Sequence, residues 1–288
     1  MRYAKLMYRP YELLLRGGEK RQGCHVCVMN DRGESALGDV APLFGRSVES
    51  LQEAMEQLKW CAQKLQHQEI DESLLASLDL FPSVAFGIES ALCTWNQSSS
   101  HKVNVSVLLL GSEMDILQEA ALYAKQGYTT AKIKVQQLSI DAIQRIIEKL
   151  HRTFRLRIDA NASWTKEELC RCCAGLEQYI EYIEDPLHDI SQGSPYPFAL
   201  DAHYAIKDLT HLRALVYKPM VRGGLSMARQ IYALTQSLGI KFVLSSSFES
   251  RIGHAAIIAL ARRLKLQEPI GIGTLFHIVE ERYIDQWL

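Results

Sequence analysis

From Val103 onward the chain alternates short apolar runs with stretches of helical period, and this alternation constrains the fold more than any other feature. The runs are VNVSVLLL, TAKIKV, LRIDA, IEYIEDP, YPFALDA, ALVYKP and KFVLSSS, and most are followed by amphipathic segments such as SIDAIQRIIEKLH or HAAIIALARRLK. Strands separated by helices call for a parallel sheet with helices over its faces. The pattern alone leaves a closed eight-stranded barrel and an open sheet undecided.

The charges at the ends of these runs carry more information. Strand interiors of a parallel sheet are buried on both faces, so a charged residue at a strand's C-terminal end is out of place unless it has work there. Five occur in series: Lys134, Asp159, Glu184, Asp201 and Lys218, followed by the polar cluster Ser245, Ser246 and Ser247. They stand roughly 17 to 27 residues apart, about one strand-helix unit each. A closed barrel would gather them at one mouth. There the three acids Asp159, Glu184 and Asp201 can converge on one hard divalent cation. Magnesium is the expected cofactor, with manganese able to substitute. Histidine and cysteine are missing from these strand ends, which disfavours zinc.

A lysine acts as a base only when neutral, and its ordinary pKa leaves it protonated near pH 7. Lys132 lies two residues before Lys134 and points the same way along a strand. A like charge at about 6.5 Å costs about 2.5 kcal/mol at an effective dielectric near 20, and lowers the Lys134 pKa. With Lys218 facing it across the mouth, Lys134 is equipped to remove a proton α to a metal-bound carboxylate. Taken singly, each motif has a plainer reading: Lys-Ile-Lys as a surface strand, Asp159 with Asn161 as a helix cap, Glu184 as a turn before Pro186. Their ordered recurrence favours the chemical reading.

Upstream, residues 1 to about 40 read as extended segments broken by turns. SVESLQEAMEQLKWCAQKLQ places Leu51, Met55, Leu58, Ala62 and Leu65 at helical spacing, with a cap region at Ser47 to Ser50. A second helical stretch follows Pro82, and the polar run 96–102 reads as a linker. Thirty-two basic against 33 acidic residues give a net charge of -1, which argues against a nucleic-acid or polybasic membrane surface. No run approaches the roughly 18 to 20 apolar residues of a membrane span. A cytoplasmic protein acting on a small-molecule carboxylate is expected. Seven cysteines, an odd number, argue for reduced thiols. Cys24 and Cys27, with His25 between them, and Cys170, Cys172 and Cys173 read as buried or incidental.

The segments AKIKV, LRIDANASW, YIEDP, VYKP and LSSSFESRIG, in that order, resemble the enolase superfamily, and the set is most similar to its o-succinylbenzoate synthases of menaquinone biosynthesis. GESALGDVAPLFGRSVESLQEA is similar to that group's capping-domain loop after a Gly-Glu, and PSVAFGIESAL resembles its Pro-Ser-Val-Ala-Phe-Gly helix. The resemblance implies an α/β fold, a (β/α)7β TIM-like barrel over residues 99–275, with an α+β cap from residues 1–98 and a C-terminal tail from about 276. It implies Asp159, Glu184 and Asp201 as metal ligands and Lys134 and Lys218 as the catalytic lysines. It implies a lyase dehydrating 2-succinyl-6-hydroxy-2,4-cyclohexadiene-1-carboxylate to 2-succinylbenzoate. Lys132 and Asn161 would support the site, Ser245 to Ser247 with Gly223 and Gly224 would line its succinyl side, and Arg157 would organise the surroundings of Lys134. The group usually reads Asp-Glu-Ser where this chain has Asp201-Ala202-His203, which bears on how the third ligand is oriented. Two other activities fit the same residues: an N-acylamino acid racemase or dipeptide epimerase, which also needs two lysines, and a ligand-binding homologue without turnover. The sequence leaves the oligomeric state open.

Overall fold

A computed structural model describes residues 3–94, 101–191, 193–201 and 209–288. The linker expected at 96–102 falls largely outside them, as do Ala202 and His203. Every apolar run predicted from the sequence becomes a strand: β4 (Val107–Leu109), β5 (Thr130–Lys134), β6 (Arg155–Asp159), β7 (Ile180–Glu184), β8 (Phe198–Leu200), β9 (Leu212–Tyr217) and β10 (Lys241–Leu244). They form one parallel sheet in sequence order. The sheet closes on itself through residues 270 and 271. Ile270 accepts from Ser106 N at 2.9 Å and donates to Asn104 O at 2.9 Å, while Gly271 donates to Leu244 O at 2.7 Å and accepts from Ser246 N at 2.9 Å. This two-residue eighth strand decides between barrel and open sheet. The fold is a (β/α)7β TIM-like barrel.

The outer layer contains α4 (Glu113–Lys125), α5 (Ile140–Leu150), α6 (Lys166–Cys173), α7 (Pro219–Arg222), α8 (Gly224–Ser237) and α9 (Arg251–Arg263). Helix α5 shows why these segments are helical. The Ser139 side chain accepts from Ala142 N, and Ile140, Ile143, Ile146, Ile147 and Leu150 form one buried face. That face packs on Ile133, Leu156 and Ile158, the outward-pointing residues of β5 and β6. The alternate residues, Lys132, Lys134, Arg157 and Asp159, are left to face the barrel axis.

The cap is an antiparallel sheet, β1 (Tyr3–Leu15), β2 (Lys20–Asn30) and β3 (Ser35–Val40), extended beside β1 by β11 (Ile278–Tyr283) from the chain's end. Helices α1 (Leu51–Lys64), α2 (Glu72–Ala76) and α3 (Pro82–Thr94) complete it. Ser50 caps α1 in a reciprocal box with Glu53, while Ser47 accepts from Leu43 N and tightens the preceding turn. β3 meets α3 at Gly38 and Gly87, where a Cβ on Gly38 would lie 1.8 Å from Gly87 O. One apolar core, containing Tyr11, Leu13 and Phe86 of the cap with Tyr217, Met220 and Ile257 of the barrel, joins the two parts.

Two sequence readings acquire structural roles here. His25 stacks on Tyr11 at 4.4 Å and its Nε2 lies 2.9 Å from Ser250 Oγ, so it belongs to the joint between cap and barrel. Cys24, Cys27, Cys172 and Cys173 are buried free thiols, and Cys170 is an exposed one. Among the described residues no helix is long and apolar enough to cross a membrane.

Arg157 is buried in the middle of β6, level with Lys132, and its guanidinium reaches Glu181 near the start of β7 rather than the strand ends. It donates to Glu181 at 2.7 Å and to Pro269 O at 2.8 Å, and lies 3.4 Å from Glu268. Its partners therefore differ from the expectation that it organises Lys134. Two residues earlier on a strand is about 6.6 Å deeper, and the acids at the floor hold it there. Because Pro269 leads into the closing strand, Arg157→Ala should cost about 3 to 5 kcal/mol. The thermal midpoint should fall by roughly 10 °C in a circular dichroism melt. An unchanged midpoint would show that the floor does not depend on this arginine.

Candidate active site

The strand ends bring the predicted charges together in pairs. Lys132 Nζ lies 2.7 Å from Glu184 Oε1 and 2.8 Å from Asp159 Oδ2. Lys218 Nζ lies 2.5 Å from Asp201 Oδ2. Asn161 donates from Nδ2 to Asp159 Oδ1 at 2.7 Å, and Asp201 N donates to Asp185 Oδ1 at 3.1 Å. The loops that deliver these groups turn sharply: Asn161, Ala162 and Asp185 have φ of 48°, 56° and 41°, the left-handed region that non-glycine residues adopt at a cost.

A cavity of about 200 Å³ lies at the C-terminal ends of the strands; of these groups Lys132, Asp159, Asn161 and Lys218 line it, while Glu184, Asp185 and Asp201 lie behind the lining. Lys132, Lys134, Asp159 and Asn161 line it from β5, β6 and the loop after β6, and Lys218 from the end of β9. Beside Lys218, the end of β10 and the closing strand supply Ser245, Ser246 and Ser247 with Gly271, Gly273 and Thr274, and the cap loop supplies Leu43, Phe44 and Arg46. Gly223 and Gly224 lie outside this lining. They join α7 to α8 and face the cap, where Glu89 of α3 accepts from Leu225 N and from Ser226 N.

The serines are held in position. Ser247 donates Oγ–H to Glu249 Oε1 and N–H to Glu249 Oε2, both at 2.7 Å, and Ser246 hydrogen-bonds Thr274, which lies 2.9 Å from His254 Nε2. Sequence reading recognised the capping loop without giving Leu43, Phe44 or Arg46 a place in the site, and missed Asp185 and the Gly271–Thr274 wall. The signal for that wall was GIGT following Pro269, at the point where an eighth strand had to end.

Electrostatics separates the two lysines of Lys-Ile-Lys. Burial works against the Lys132 ammonium, but Asp159 and Glu184 together hold its pKa well above the ordinary value. Burial lowers the Lys134 pKa, and the Lys132 and Lys218 ammoniums lower it further. Loss of solvent thus outweighs the like charge, which sequence reasoning had treated as the main cause. Glu184 is pushed up by burial and by Asp159 against the pull of Lys132. Burial also opposes the Asp201 carboxylate, yet Lys218 and Lys132 hold its pKa below the usual value.

The donors suit a hard cation. Asp159 and Glu184 already share one ammonium, so both reach a common point, and Glu184 Oε2 is buried without a hydrogen-bond partner among the described residues. Asp201 is turned to Lys218, and among the described residues no three acids, histidines or cysteines form a ready-made cation cluster. The residues that would hold a magnesium ion are Asp159 and Glu184, with Asp201 as third acid.

A closed (β/α)7β barrel with acids and lysines on successive strand ends, under an α+β cap, defines a class of enzyme. The chain belongs to the enolase superfamily: the enolase C-terminal domain-like family model matches residues 115–269. The model of the MenC N-terminal domain matches residues 7–95. The o-succinylbenzoate synthase of Vibrio cholerae is 26% identical over 96% of this chain and 90% of its own. Among solved structures, the o-succinylbenzoate synthase of Thermosynechococcus elongatus, complexed with magnesium in its active site, superposes with a TM-score of 0.74 at 23% identity, covering 93% of this chain and 92% of that one. The L-Ala-D/L-Glu epimerase of Bacillus subtilis gives a TM-score of 0.82 at 18% identity, covering 97% and 92%. At these identities the structural likenesses speak for the fold.

Proposed function

We propose that this chain is a magnesium-dependent o-succinylbenzoate synthase, dehydrating 2-succinyl-6-hydroxy-2,4-cyclohexadiene-1-carboxylate to 2-succinylbenzoate in menaquinone biosynthesis. The observation that carries this reading is the division of labour among three lysines. Lys132 is committed to Asp159 and Glu184, and Lys218 to Asp201, whereas Lys134 has no carboxylate partner among the described residues and its pKa is depressed by burial. The MenC N-terminal match and the synthase relatives support this chemistry over others of the superfamily.

Lys134, as the neutral amine, takes the proton from the carbon bearing the ring carboxylate. The electron pair left behind forms the new C=C bond as the neighbouring C–O bond breaks. Lys134 then returns its proton to the departing hydroxyl, which leaves as water, so the lysine ends as it began. The Lys218 ammonium stabilises the negative charge that develops on the carboxylate between these steps. A bound magnesium ion would supply further positive charge to that carboxylate. Ser245, Ser246 and Ser247 line the cavity beside Lys218, and the cap loop excludes water.

Aromatisation is visible in the ultraviolet, so the purified protein with magnesium and the cyclohexadiene substrate should develop the absorbance of 2-succinylbenzoate. A flat trace, together with deuterium entering an N-acylated amino acid or dipeptide at its α-carbon, would move the assignment to a racemase or epimerase. The pH profile tests the base separately. A lysine with a lowered pKa is neutral at lower pH, so kcat/KM should rise with pH through an ionisation below the usual lysine value near 10.5 and then level off. A rise that starts only at or above the usual value would contradict a depressed base.

A further inference from the structure

The pocket holds a fourth cation that the reaction above does not use. Arg46 lies on the cap loop and lines the same cavity as Lys132, Lys134 and Lys218. Its loop is a compact turn: Arg46 N and Ser47 N both donate to Leu43 O, at 3.0 and 2.8 Å, and Leu43 N donates to Ser47 Oγ at 2.9 Å. The guanidinium has five N–H donors in a planar fork. Among the described residues it makes one hydrogen bond, from Nη2 to Asn161 Oδ1 at 3.5 Å, the outer limit for such a contact, and no salt bridge.

The position of that contact is informative. Asn161 also donates to Asp159 at 2.7 Å, so Arg46 stands one side chain outward from the acids that would hold the cation. Among the described residues, the lining that follows β10 and the closing strand is uncharged, made of serines, glycines, Phe248 and Thr274, and the hydroxyls of Ser246 and Ser247 are engaged with Thr274 and Glu249. A ligand group carrying negative charge beyond the reacting centre therefore finds in Arg46 a guanidinium whose donors are largely unengaged among the described residues.

We propose that Arg46 anchors a second carboxylate of the substrate, so that the site selects dicarboxylates over monocarboxylates. This rests on the synthase reading and deepens it, since it assigns the residue that reads the succinyl tail. A planar guanidinium matches a carboxylate with two parallel hydrogen bonds, which a lysine ammonium cannot reproduce. Because Arg46 is on an exposed turn of the cap, its replacement leaves the hydrophobic cores intact.

Calorimetric titration of the full chain with magnesium tests this without requiring turnover. The ligands are 2-succinylbenzoate, which has two carboxylates, and its tail amide, which keeps only the ring carboxylate. Wild type should bind the diacid more tightly. Arg46→Met should weaken the diacid about tenfold and the amide less than twofold, and Arg46→Lys should recover part of the loss. If Arg46→Met weakens both ligands alike, or neither, while wild type binds and aromatises its substrate, Arg46 merely balances the nearby acids and the inference is overturned alone. If wild type binds neither ligand and gives no aromatic product, the synthase reading falls and takes this inference with it.

Discussion

Replacing Lys134 with alanine should lower turnover at least a thousandfold and leave the protein folded. A positioned general base contributes about 10² to 10⁴ in rate, and here the same amine also returns the proton to the leaving group. Stability should not suffer. Lys134 is mostly buried, has no carboxylate partner among the described residues, and sits near two other ammoniums. Removing it relieves repulsion, so the thermal midpoint of Lys134→Ala should equal or slightly exceed that of wild type. Lys134→Arg keeps the charge and the length but cannot deprotonate, so it should be as inactive as the alanine variant. Activity within a few-fold of wild type in either variant would remove Lys134 from the role of base.

The second large effect is expected at Glu184. Its Oε1 holds Lys132 at 2.7 Å, and its Oε2 is buried with nothing among the described residues to satisfy it. Glu184→Ala should weaken magnesium binding more than a hundredfold by calorimetry and lower turnover about a thousandfold, because few carboxylates are available to replace a lost ligand. The metal-free fold should tolerate the change, since Lys132 keeps Asp159 at 2.8 Å. Excess chelator should inactivate wild type reversibly, with magnesium restoring the rate. Unaltered magnesium affinity in the variant would place the cation elsewhere.

Much of this was legible in the chain because a parallel barrel imposes strong local rules. Outward strand positions must be apolar to meet the helices, as Ile133 and Ile158 do, so Lys134 and Asp159 stood out against that background. The closing strand was not legible. Two residues, Ile270 and Gly271, complete the ring through backbone hydrogen bonds, and backbone pairing of that length leaves no hydrophobic period to detect. The pairing of charges was also hidden. Sequence spacing put Lys132 and Lys134 on one side of a strand, but which of them the acids would hold depends on reach across β6 and β7, a tertiary property. Arg157 shows the same limit, since parity placed it on the inner face while depth along the barrel gave it Glu181 and Glu268 as partners. Arg46 lies within the segment whose resemblance marked a capping loop, but a lone arginine in a Gly-containing turn looks like any solvated loop residue until the cap is seen to lie over the barrel mouth.

The central claim is that Lys134 removes a proton α to a carboxylate bound at these acids. A substrate analogue lacking the 6-hydroxyl cannot lose water, so proton removal on it can be followed alone by nuclear magnetic resonance in D2O. With magnesium, wild type should wash deuterium into the carbon next to the ring carboxylate, and Lys134→Ala should leave that proton in place. Exchange that survives in Lys134→Ala, or a folded, magnesium-loaded wild type that exchanges nothing, would contradict the account.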